Sequence, residues 1–552
     1  MGAPAAGLPS IVHELALRAE ARPDAPAFIF LDRGEAETAR LSYGALARRA
    51  RGIARFLRAE GLAGKTLLLA YPPGLEAIAV LFGCLWAGAA VIMAAPGGPG
   101  AAWARLEAIL ADGAAAALLT DRKTLAAGAA ALPALTIPAI ATDEIGPGDD
   151  GEEPAAHMAG LALLQYTSGS TGRPRGVMIS HANLAHNLRA LDAAYGLGES
   201  DTGVSWLPLH HDMGLIGGVL QPLHAGYACV LMPPLAFLQQ PRRWLRAIST
   251  YRASASPAPC FGYELCTRRP AAPGLDLSHW RVAICGSEPV ERKVLQLFAE
   301  TYREAGFDSR AFRPSYGMAE ATLLAAAGEG MASAGERVAC GPPHGCELAI
   351  VTPRTRKRVP ENGQSGEIWL RGPSISTGYW GRPEETAQHF AARLAGEPDG
   401  GWLRTGDLGH MGPAGLVVTG RIKDCLIIRG VNFDALEIER EACMAVPEMA
   451  ASAAFAISSS GGEAAVLLLE PARLEVKALD AGTLAARVVE AVHRRFGLRL
   501  HDLVLVRPRG LPRTTSGKLQ RFLCREHYLA GTLPALLALD HPGLGRSRGR
   551  TA

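Results

Sequence analysis

The amino-acid sequence predicts an α/β protein whose parallel sheets are covered by helices on both faces. Three observations favour this fold class: hydrophobic residues make up 48% of the 552 residues, helical patterns alternate with short apolar runs as far as Ala305, and strand-like patterns prevail beyond Val338. The length exceeds that of one ordinary domain. We therefore expect a large N-terminal domain of two doubly wound sheets with a β-rich subdomain, and a small C-terminal α+β domain.

The N-terminal region shows its clearest pattern at Ala45–Glu60, where Leu46, Ile53 and Leu57 fall on one helical face. The longest apolar run, Ala77–Ala95, contains two glycines and lies between proline-containing turns. It predicts a buried helix that ends near residue 88 and a buried strand from residue 89, rather than a membrane span.

The stretch Tyr166–Val177 combines glycines, hydroxyls and arginines between two apolar runs. Glycines let successive N–H groups point at an anion, hydroxyls add donors, and arginine keeps its charge at any pH. The stretch therefore predicts a loop for the β- and γ-phosphates of a nucleotide, although a polar turn has the same composition. A Walker loop is excluded because no Gly-Lys-Ser/Thr follows the glycines.

Further helices and strands are predicted on both sides of this loop. Ser180 can cap a helix that starts at His181. Further strands are expected at Leu67–Ala70, Val204–Leu207, Ala228–Met232, Arg281–Cys285, Leu348–Val351, Gly366–Leu370, Leu416–Thr419, Ala451–Ile457, Ala464–Leu469 and Leu503–Val506, and further helices at Gly214–His224, Pro241–Tyr251, Glu291–Ala305, Leu436–Cys443 and Thr483–Phe496. The predicted domains are 1–422 and 423–540, with a disordered Gly/Arg-rich tail over 541–552.

Composition excludes several classes of function. A formal charge of +3 gives no nucleic-acid or membrane footprint. The ten cysteines lack metal-ligand spacing, and the N-terminus lacks a secretion signal, so reduced thiols in a cytoplasmic protein are expected. The run from His210 to Asp212 is interpreted as a helix start rather than a metal site, because adjacent side chains rarely converge on one ion.

Several motifs, in their order along the chain, resemble those of the adenylate-forming, AMP-binding superfamily. They are Tyr166–Val177, Cys285–Pro289, Ser315–Glu320, Trp402–Asp407, Gly420–Asp424 and Pro512–Lys518. Within that superfamily the resemblance is closest to the fatty acyl-AMP ligases. It rests on Trp206–Gly218, Ser256–Cys266, Ala319–Leu323, Gly378–Trp380 and Gln520–Arg525. The resemblance implies an acyl-CoA synthetase-like fold with a mobile C-terminal domain.

The resemblance also implies sites for ATP and Mg²⁺. The residues implied for ATP are Thr167, Ser168, Gly169, Ser170, Thr171, Gly172, Arg175, Gly286, Ser287, Glu288, Tyr316, Gly317, Met318, Asp407 and Arg421. The aromatic ring of Tyr316 would stack on adenine, and the backbone of Cys285–Pro289 would pack against it. Thr171 and Glu320 would bind the metal, Asp407 would accept hydrogen bonds from the ribose hydroxyls, and Arg421 would contact the ribose or a phosphate. Lys423 would be the hinge about which the small domain turns.

The implied reaction joins a carboxylic acid, expected to be a fatty acid, to ATP as acyl-AMP. Lys518 would neutralise charge between the carboxylate and the α-phosphate, and its retention in a lysine-poor chain favours that role. Glu320 and His211 complete the implied catalytic set. His211, Asp212, Met213, Phe261 and Gly262 would bind the acid.

The acyl acceptor is expected to be the phosphopantetheine thiol of a separate carrier protein or synthase module. Two departures from the family leave CoA open as the alternative acceptor. The segment Leu324–Cys340 is short where the family usually carries an insertion, and Gly430–Ala435 differs from the usual sequence after the hinge. A non-catalytic nucleotide-binding protein is a remote alternative, since it would leave Lys518 and Glu320 incidental.

Overall fold

The computed structural model describes most of the chain, in two compact units that are presented separately. The described residues are 9–96, 101–127, 137–148, 153–155, 160–167, 174–268, 273–334, 337–360, 363–428, 431–459, 462–472, 481–513, 519–539 and 543–544. The larger unit covers Met1–Thr167, Pro174–Thr405 and Gly409–Thr419, and the smaller includes Gly406–Leu408 and Gly420–Ala552. Except for residues 543 and 544, the predicted disordered tail lies outside the described residues.

Helices and strands alternate along the larger unit. Its helices are α1 (Ile11–Ala21), α2 (Tyr43–Ala59), α3 (Leu75–Trp86), α4 (Ala101–Asp112), α5 (Arg122–Ala127), α6 (His181–Tyr195), α7 (Asp212–Leu215), α8 (Gln221–Ala225), α9 (Pro234–Gln239), α10 (Arg242–Thr250), α11 (Cys260–Thr267), α12 (Arg292–Tyr302) and α13 (Pro383–Phe390). Its strands are β1 (Pro26–Phe30), β2 (Ala39–Ser42), β3 (Thr66–Ala70), β4 (Ala90–Ala94), β5 (Ala117–Thr120), β6 (Ala139–Ala141), β7 (Leu161–Thr167), β8 (Arg175–Ser180), β9 (Thr202–Ser205), β10 (Ala228–Leu231), β11 (Ala255–Ala258), β12 (Val282–Cys285), β13 (Phe312–Gly317), β14 (Leu324–Ala327), β15 (Ser333–Ala334), β16 (Arg337–Val338), β17 (Glu347–Val351), β18 (Gly366–Arg371), β19 (Leu403–Gly412) and β20 (Gly415–Arg421).

Two mostly parallel sheets form the larger unit. The first has eight strands in the order β14-β13-β12-β11-β9-β10-β1-β2, and the second has six in the order β6-β5-β3-β4-β7-β8. In both sheets the central pairs are parallel, whereas β13–β14, β1–β2 and β7–β8 are antiparallel edge pairs. A third sheet, β17-β18-β19-β20, supplies the predicted β-rich subdomain, although residues 406–408 of β19 and 420–421 of β20 are grouped with the smaller unit.

Alternate residues of a strand enter different cores, because successive side chains point to opposite faces of a sheet. Phe28 and Phe30 lie in the core that α2, α3 and α6 share with the six-stranded sheet. Ile29 lies in the core on the other face of the eight-stranded sheet. Likewise, Leu67 belongs to the shared core and Leu68 to the core on the outer face of the six-stranded sheet. Both sheets are therefore covered on both faces, as doubly wound sheets require.

The smaller unit is an α+β fold. Its strands are β21 (Cys425–Ile428), β22 (Val431–Asp434), β23 (Met449–Ser459), β24 (Gly462–Pro471), β25 (Leu500–Val506) and β26 (Ala535–Ala538), and its helices are α14 (Ala435–Ala445), α15 (Ala481–Phe496) and α16 (Arg521–Leu529). The sheet β23-β24-β25-β26 has an apolar core on each face.

The predicted fold class is confirmed, and most predicted elements lie within a few residues of the observed ones. Ser180 is the N-cap of α6 and forms a capping box with Asn183. The apolar run that begins at Ala77 divides into α3 and β4, as expected. None of the helices in the described part of the chain combines the length and apolarity that a bilayer crossing requires. All ten cysteines are unpaired.

One predicted helix differs from the structure, and strand β11, which was not predicted, has an unusual sequence. The helix expected over Gly214–His224 begins at Asp212, and its middle, Ile216–Leu220, is a π-helical segment between α7 and α8. Strand β11 contains Pro257 although it lies inside a sheet, where proline is normally excluded. Its pairing with β9 is limited to Ala255 and Gly203, so the missing N–H of Pro257 breaks no ladder hydrogen bond on that side.

Candidate functional site

The site begins at the carboxyl ends of two neighbouring strands, where open α/β sheets bind ligands. Strands β12 and β13 run parallel with Cys285 opposite Pro314. A Cβ atom added to Gly286 would lie 2.8 Å from the carbonyl oxygen of Ser315, so only glycine lets these two backbones come this close. Ser287 follows with a φ of 67°, which is unusual for a residue with a side chain. The pairing of β12 with β13 therefore brings the two predicted adenine segments, at residues 286–288 and 316–318, side by side at this edge.

A cavity opens beside this edge. Six of the predicted site residues line it, namely Asp212, Met213, Gly286, Ser287, Tyr316 and Gly317. Apolar and aromatic side chains that were not predicted for the site form much of the remaining wall: Leu191, Tyr195, Leu197, Tyr227, Leu323 and Leu324. A cavity lined by both polar groups and apolar side chains suits a ligand that has a polar head and an apolar body.

The helix that starts at Asp212 carries one wall of the cavity. His211 is its N-cap, as the interpretation of the His-His-Asp run required. The Nδ1 atom of His211 lies 2.7 Å from Oδ1 of Asp212, and the same oxygen accepts a hydrogen bond from the Met213 N–H at 2.7 Å. Among the described residues no group of three or more His, Cys, Asp or Glu side chains could hold a metal ion.

Glu288 connects the predicted adenine segment to the predicted acid-binding segment. Its Oε1 accepts a hydrogen bond of 2.7 Å from the N–H of Phe261, in the first turn of α11. The Phe261 ring packs edge-on against Trp206, with 5.9 Å between ring centroids. A Cβ atom on Gly262 would lie 3.0 Å from the Trp206 ring. The carboxylate of Glu288 thus fixes the start of α11 rather than lining the cavity.

The turn after β13 is tightly constrained. A Cβ atom on Gly317 would lie only 1.7 Å from the carbonyl oxygen of Leu323. Thr322 has a φ of 66°, a strained value for a β-branched residue, and its Oγ1 donates a hydrogen bond of 2.7 Å to the carbonyl of Ser374. Glu320 lies within this turn and is only 9% exposed. The turn therefore holds one carboxylate in a defined place.

Tyr379 reaches this carboxylate from another element. Its hydroxyl donates a hydrogen bond of 2.8 Å to Oε1 of Glu320. Burial raises the pKa of Tyr379, and the negative charge of Glu320 raises it further, so the phenol keeps its proton. Sequence reasoning used Gly378–Trp380 only as a mark of resemblance and missed this contact; a tyrosine within a matched motif was the available signal.

The predicted phosphate loop can be described only at its ends. Thr167 at the end of β7 pairs with Arg175 at the start of β8. Arg175 forms an ion pair of 3.1 Å with Glu385, and its guanidinium lies 5.1 Å from the centre of the Tyr379 ring. Ser168, Gly169, Ser170, Thr171, Gly172 and Lys518 lie outside the described residues.

Three predicted residues belong to the smaller unit. Asp407 is 3% exposed and accepts a hydrogen bond of 2.6 Å from the Nε of Arg421. Lys423 lies in the single helical turn Ile422–Asp424, which directly follows β20. Asp407 and Arg421 were predicted for the same nucleotide, and they are in direct contact.

The residue set fits a magnesium ion that ATP would bring with it. Glu320 offers hard carboxylate oxygens, and Mg²⁺ usually takes one or two carboxylates together with substrate phosphates rather than a cage of protein ligands.

Met318, the remaining predicted ATP-binding residue, precedes the turn after β13 and donates its N–H to the Leu323 carbonyl at 3.0 Å.

Comparison with known proteins identifies the family. Residues 15–380 match the family described as AMP-binding enzyme. The chain belongs to this family. Among curated relatives, the medium-chain-fatty-acid–[acyl-carrier-protein] ligase of Moorena producens is 39% identical, with 95% of this chain and 96% of that protein covered. A putative fatty-acid–CoA ligase of Mycobacterium tuberculosis is 35% identical, with 94% and 98% covered.

A solved structure agrees with this assignment to the AMP-binding enzymes. A fatty acyl-adenylate ligase from Legionella pneumophila, in complex with acyl adenylate and pyrophosphate, has 33% identity and a TM-score of 0.72, and the alignment covers 96% of this chain and 97% of that one. The predicted resemblance to fatty acyl-AMP ligases and the acyl-CoA synthetase-like fold are thereby confirmed.

Proposed function

We propose that this AMP-binding enzyme activates a fatty acid with ATP, releases pyrophosphate and transfers the acyl group to the phosphopantetheine thiol of a separate carrier protein or synthase module. The cavity carries the proposal. It is lined by Gly286, Ser287 and Tyr316, which were predicted for adenine, and also by apolar side chains such as Leu191, Leu197 and Leu323. An acyl-adenylate needs such a joined site. The relatives named for fatty-acid ligation to a carrier protein and for bound acyl adenylate support the same reaction.

In the first step a carboxylate oxygen of the acid attacks the α-phosphorus of ATP, and the bond from that phosphorus to the bridging oxygen of pyrophosphate breaks. Two anions must approach each other, so catalysis requires positive charge where negative charge accumulates. Lys518 is proposed to supply it beside the α-phosphate, and Arg175 beside the departing phosphates. His211 is proposed to lie by the acid's carboxylate.

Nucleotide binding is assigned to the remaining predicted residues. Thr167 and the loop residues Ser168, Gly169, Ser170, Thr171 and Gly172 are proposed to hold the phosphates, and Gly286, Ser287, Glu288, Tyr316, Gly317 and Met318 the adenine. Asp407 is proposed for the ribose, and Arg421 for the ribose or a phosphate. Glu320 and Thr171 would hold Mg²⁺, which supplies charge neutralisation to the phosphates when bound.

The second step is proposed to follow a rotation of the domain that begins at Lys423, which would remove Lys518 and admit the thiol. The thiol sulfur then attacks the acyl carbonyl, and AMP leaves. We propose that the domains are 1–422 and 423–540 and that the enzyme works in the cytoplasm. CoA is the second candidate acceptor, which the relative named as a putative fatty-acid–CoA ligase favours.

One product assay tests both steps. Purified enzyme is given ATP, Mg²⁺ and a panel of fatty and aryl acids, with CoA, with a holo carrier protein, or with neither. Acyl-AMP that passes to the carrier but not to CoA is the expected result, and efficient acyl-CoA formation would establish the second candidate instead. Absence of acyl-AMP from every acid would overturn the proposal.

A lysine pair supplies the control for that assay. Lys518→Ala should lower the rate of acyl-AMP formation on the order of 10²–10³-fold, as removal of a charge-stabilising group does elsewhere. Lys357→Ala removes an exposed lysine and should leave the rate unchanged. Equal rates in the two variants would remove Lys518 from the first step.

A further inference from the structure

The backbone of Tyr379 is fixed to the strand that leaves the predicted phosphate loop. Tyr379 and Val177 form an antiparallel bridge. On either side of it, the N–H of Trp380 donates to the carbonyl of Gly176 at 2.8 Å, and the N–H of Met178 donates to the carbonyl of Gly378 at 2.9 Å. Tyr379 therefore keeps a constant position relative to β8.

The ring of Tyr379 packs against three side chains, of which the His389 ring lies edge-on at 5.9 Å between centroids. The Arg175 guanidinium lies over the Tyr379 ring at 5.1 Å, and the Phe390 ring packs edge-on at 5.2 Å between centroids. The side chain is only 4% exposed. Because packing limits the ring to one orientation, the hydroxyl direction is also set.

The hydroxyl makes one contact that bears on chemistry. It donates to Oε1 of Glu320 at 2.8 Å, while the N–H of Ser376, three residues before Tyr379, donates to the carbonyl of Glu320 at 2.8 Å. Both the backbone and the side chain of Glu320 are thus held by the segment Ser376–Trp380. The bond to Tyr379 uses Oε1, and a carboxylate has a second oxygen, Oε2, that can bind a cation.

We infer that Tyr379 is a positioning residue that orients the Glu320 carboxylate for the metal ion of a bound metal–ATP complex, and that it fixes this carboxylate relative to β8. The inference rests on the proposed function, in which Glu320 binds the metal. Groups that hold a metal-binding carboxylate typically change metal affinity 10–100-fold when they are removed. Tyr379 would act through Glu320 and would touch neither substrate.

The test compares two Tyr→Phe variants, each of which loses one hydrogen bond of 2.8 Å from a buried tyrosine hydroxyl. Tyr379→Phe keeps the ring and removes the hydroxyl. Tyr302→Phe is the matched control, because Tyr302 is fully buried and its hydroxyl donates 2.8 Å to the carbonyl of Cys266 in the far core. Affinity for Mn²⁺ in the presence of ATP is measured by electron paramagnetic resonance, together with the melting temperature and the Mg²⁺ concentration that gives half-maximal acyl-AMP formation.

Tyr379→Phe should weaken Mn²⁺ binding and raise the half-maximal Mg²⁺ concentration, each on the order of tenfold. Tyr302→Phe should lower the melting temperature by about as much as Tyr379→Phe does. It should leave both the Mn²⁺ affinity and the half-maximal Mg²⁺ concentration unchanged. Unchanged Mn²⁺ affinity in Tyr379→Phe, an equal loss in Tyr302→Phe, or no Mn²⁺ binding by the unmodified enzyme would overturn the inference. Failure of the proposed function looks different, since Mn²⁺ and ATP would bind but no acid would yield acyl-AMP.

Discussion

Arg521 is expected to be the side chain on which the smaller unit depends most for its stability. Its Nε and Nη2 atoms each lie 2.7 Å from an oxygen of Glu439, and its Nη1 lies 3.2 Å from Asp424. The Arg521 side chain is 17% exposed and that of Glu439 is 7% exposed. Glu439 also accepts a hydrogen bond of 2.8 Å from the N–H of Ala454 on β23. The pair joins α16, α14 and the sheet.

Replacing Arg521 with methionine would leave the Glu439 carboxylate buried with one backbone partner. Breaking a buried pair in this way typically costs about 3–5 kcal/mol, and the low exposure of both side chains leaves little solvent to reduce that figure. The double variant Arg521→Met/Glu439→Met removes both charges and should recover most of the loss, because a buried pair is often replaced by apolar groups at little cost.

Native-state hydrogen exchange is the appropriate assay, since a chain with two compact units need not unfold in one step. Protection of the core amides of β23 and β24 reports the free energy of opening for the smaller unit alone. The free energy of opening is expected to be highest in the unmodified enzyme, lower in the double variant and lowest in Arg521→Met. A loss below about 1 kcal/mol in Arg521→Met, as for an exposed pair, or a double variant no more stable than the single one, would refute the reasoning.

Three further outcomes are expected. Burial lowers the pKa of His224, but its bonds to Asp192 (2.9 Å) and Glu14 (2.7 Å) outweigh burial and raise the pKa from 6.5 to about 9. Protonated His224 therefore stabilises the folded state by at most about 3 kcal/mol. This contribution is complete below pH 6.5 and is lost as the pH rises through 9. Urea unfolding across this range should show the decline, and an equally steep decline in His224→Gln would contradict it. Gly317→Ala forces a Cβ atom against the Leu323 carbonyl and should weaken ATP binding at least about tenfold by calorimetry, whereas unmodified affinity would mean that the turn is pliable. Glu288→Ala removes the acceptor for the N–H of Phe261 and should raise the KM for the acid. Glu288→Gln keeps an acceptor oxygen and should change the KM less. Equal kinetics in the two variants would show that this hydrogen bond is unimportant.

The sequence was informative wherever a local pattern determines the structure. The apolar run from Ala77 could be divided correctly because its glycines and flanking prolines leave room for one helix and one strand. Ser180 could be recognised as a cap because the cap bond joins residues three apart. The motifs at residues 285–289 and 315–320 were both assigned to ATP by their resemblance to the family, although the strand that precedes the second motif, β13, was not predicted.

The remaining features depend on contacts between distant segments, which no local pattern contains. Pro257 argues against a central strand, and only the narrow pairing of β11 with β9 makes it acceptable there. The bond from Tyr379 to Glu320 joins residues 59 positions apart. The bond from the N–H of Phe261 to the Glu288 carboxylate joins residues 27 positions apart.

The π-helical segment has a consequence for how the cavity wall could have arisen. Met213, Gly217 and Gln221 all line the cavity at intervals of four residues, although in a regular α-helix each such step drifts about 40° around the axis. The wider turn over Ile216–Leu220 offsets that drift. A π segment is equivalent to one extra residue in a helix, so deleting one residue there should restore regular α-helical winding and leave Met213 and Gln221 on nearly the same side of the helix. The helix can thus gain or lose one residue in this wall while both of its ends keep facing the cavity.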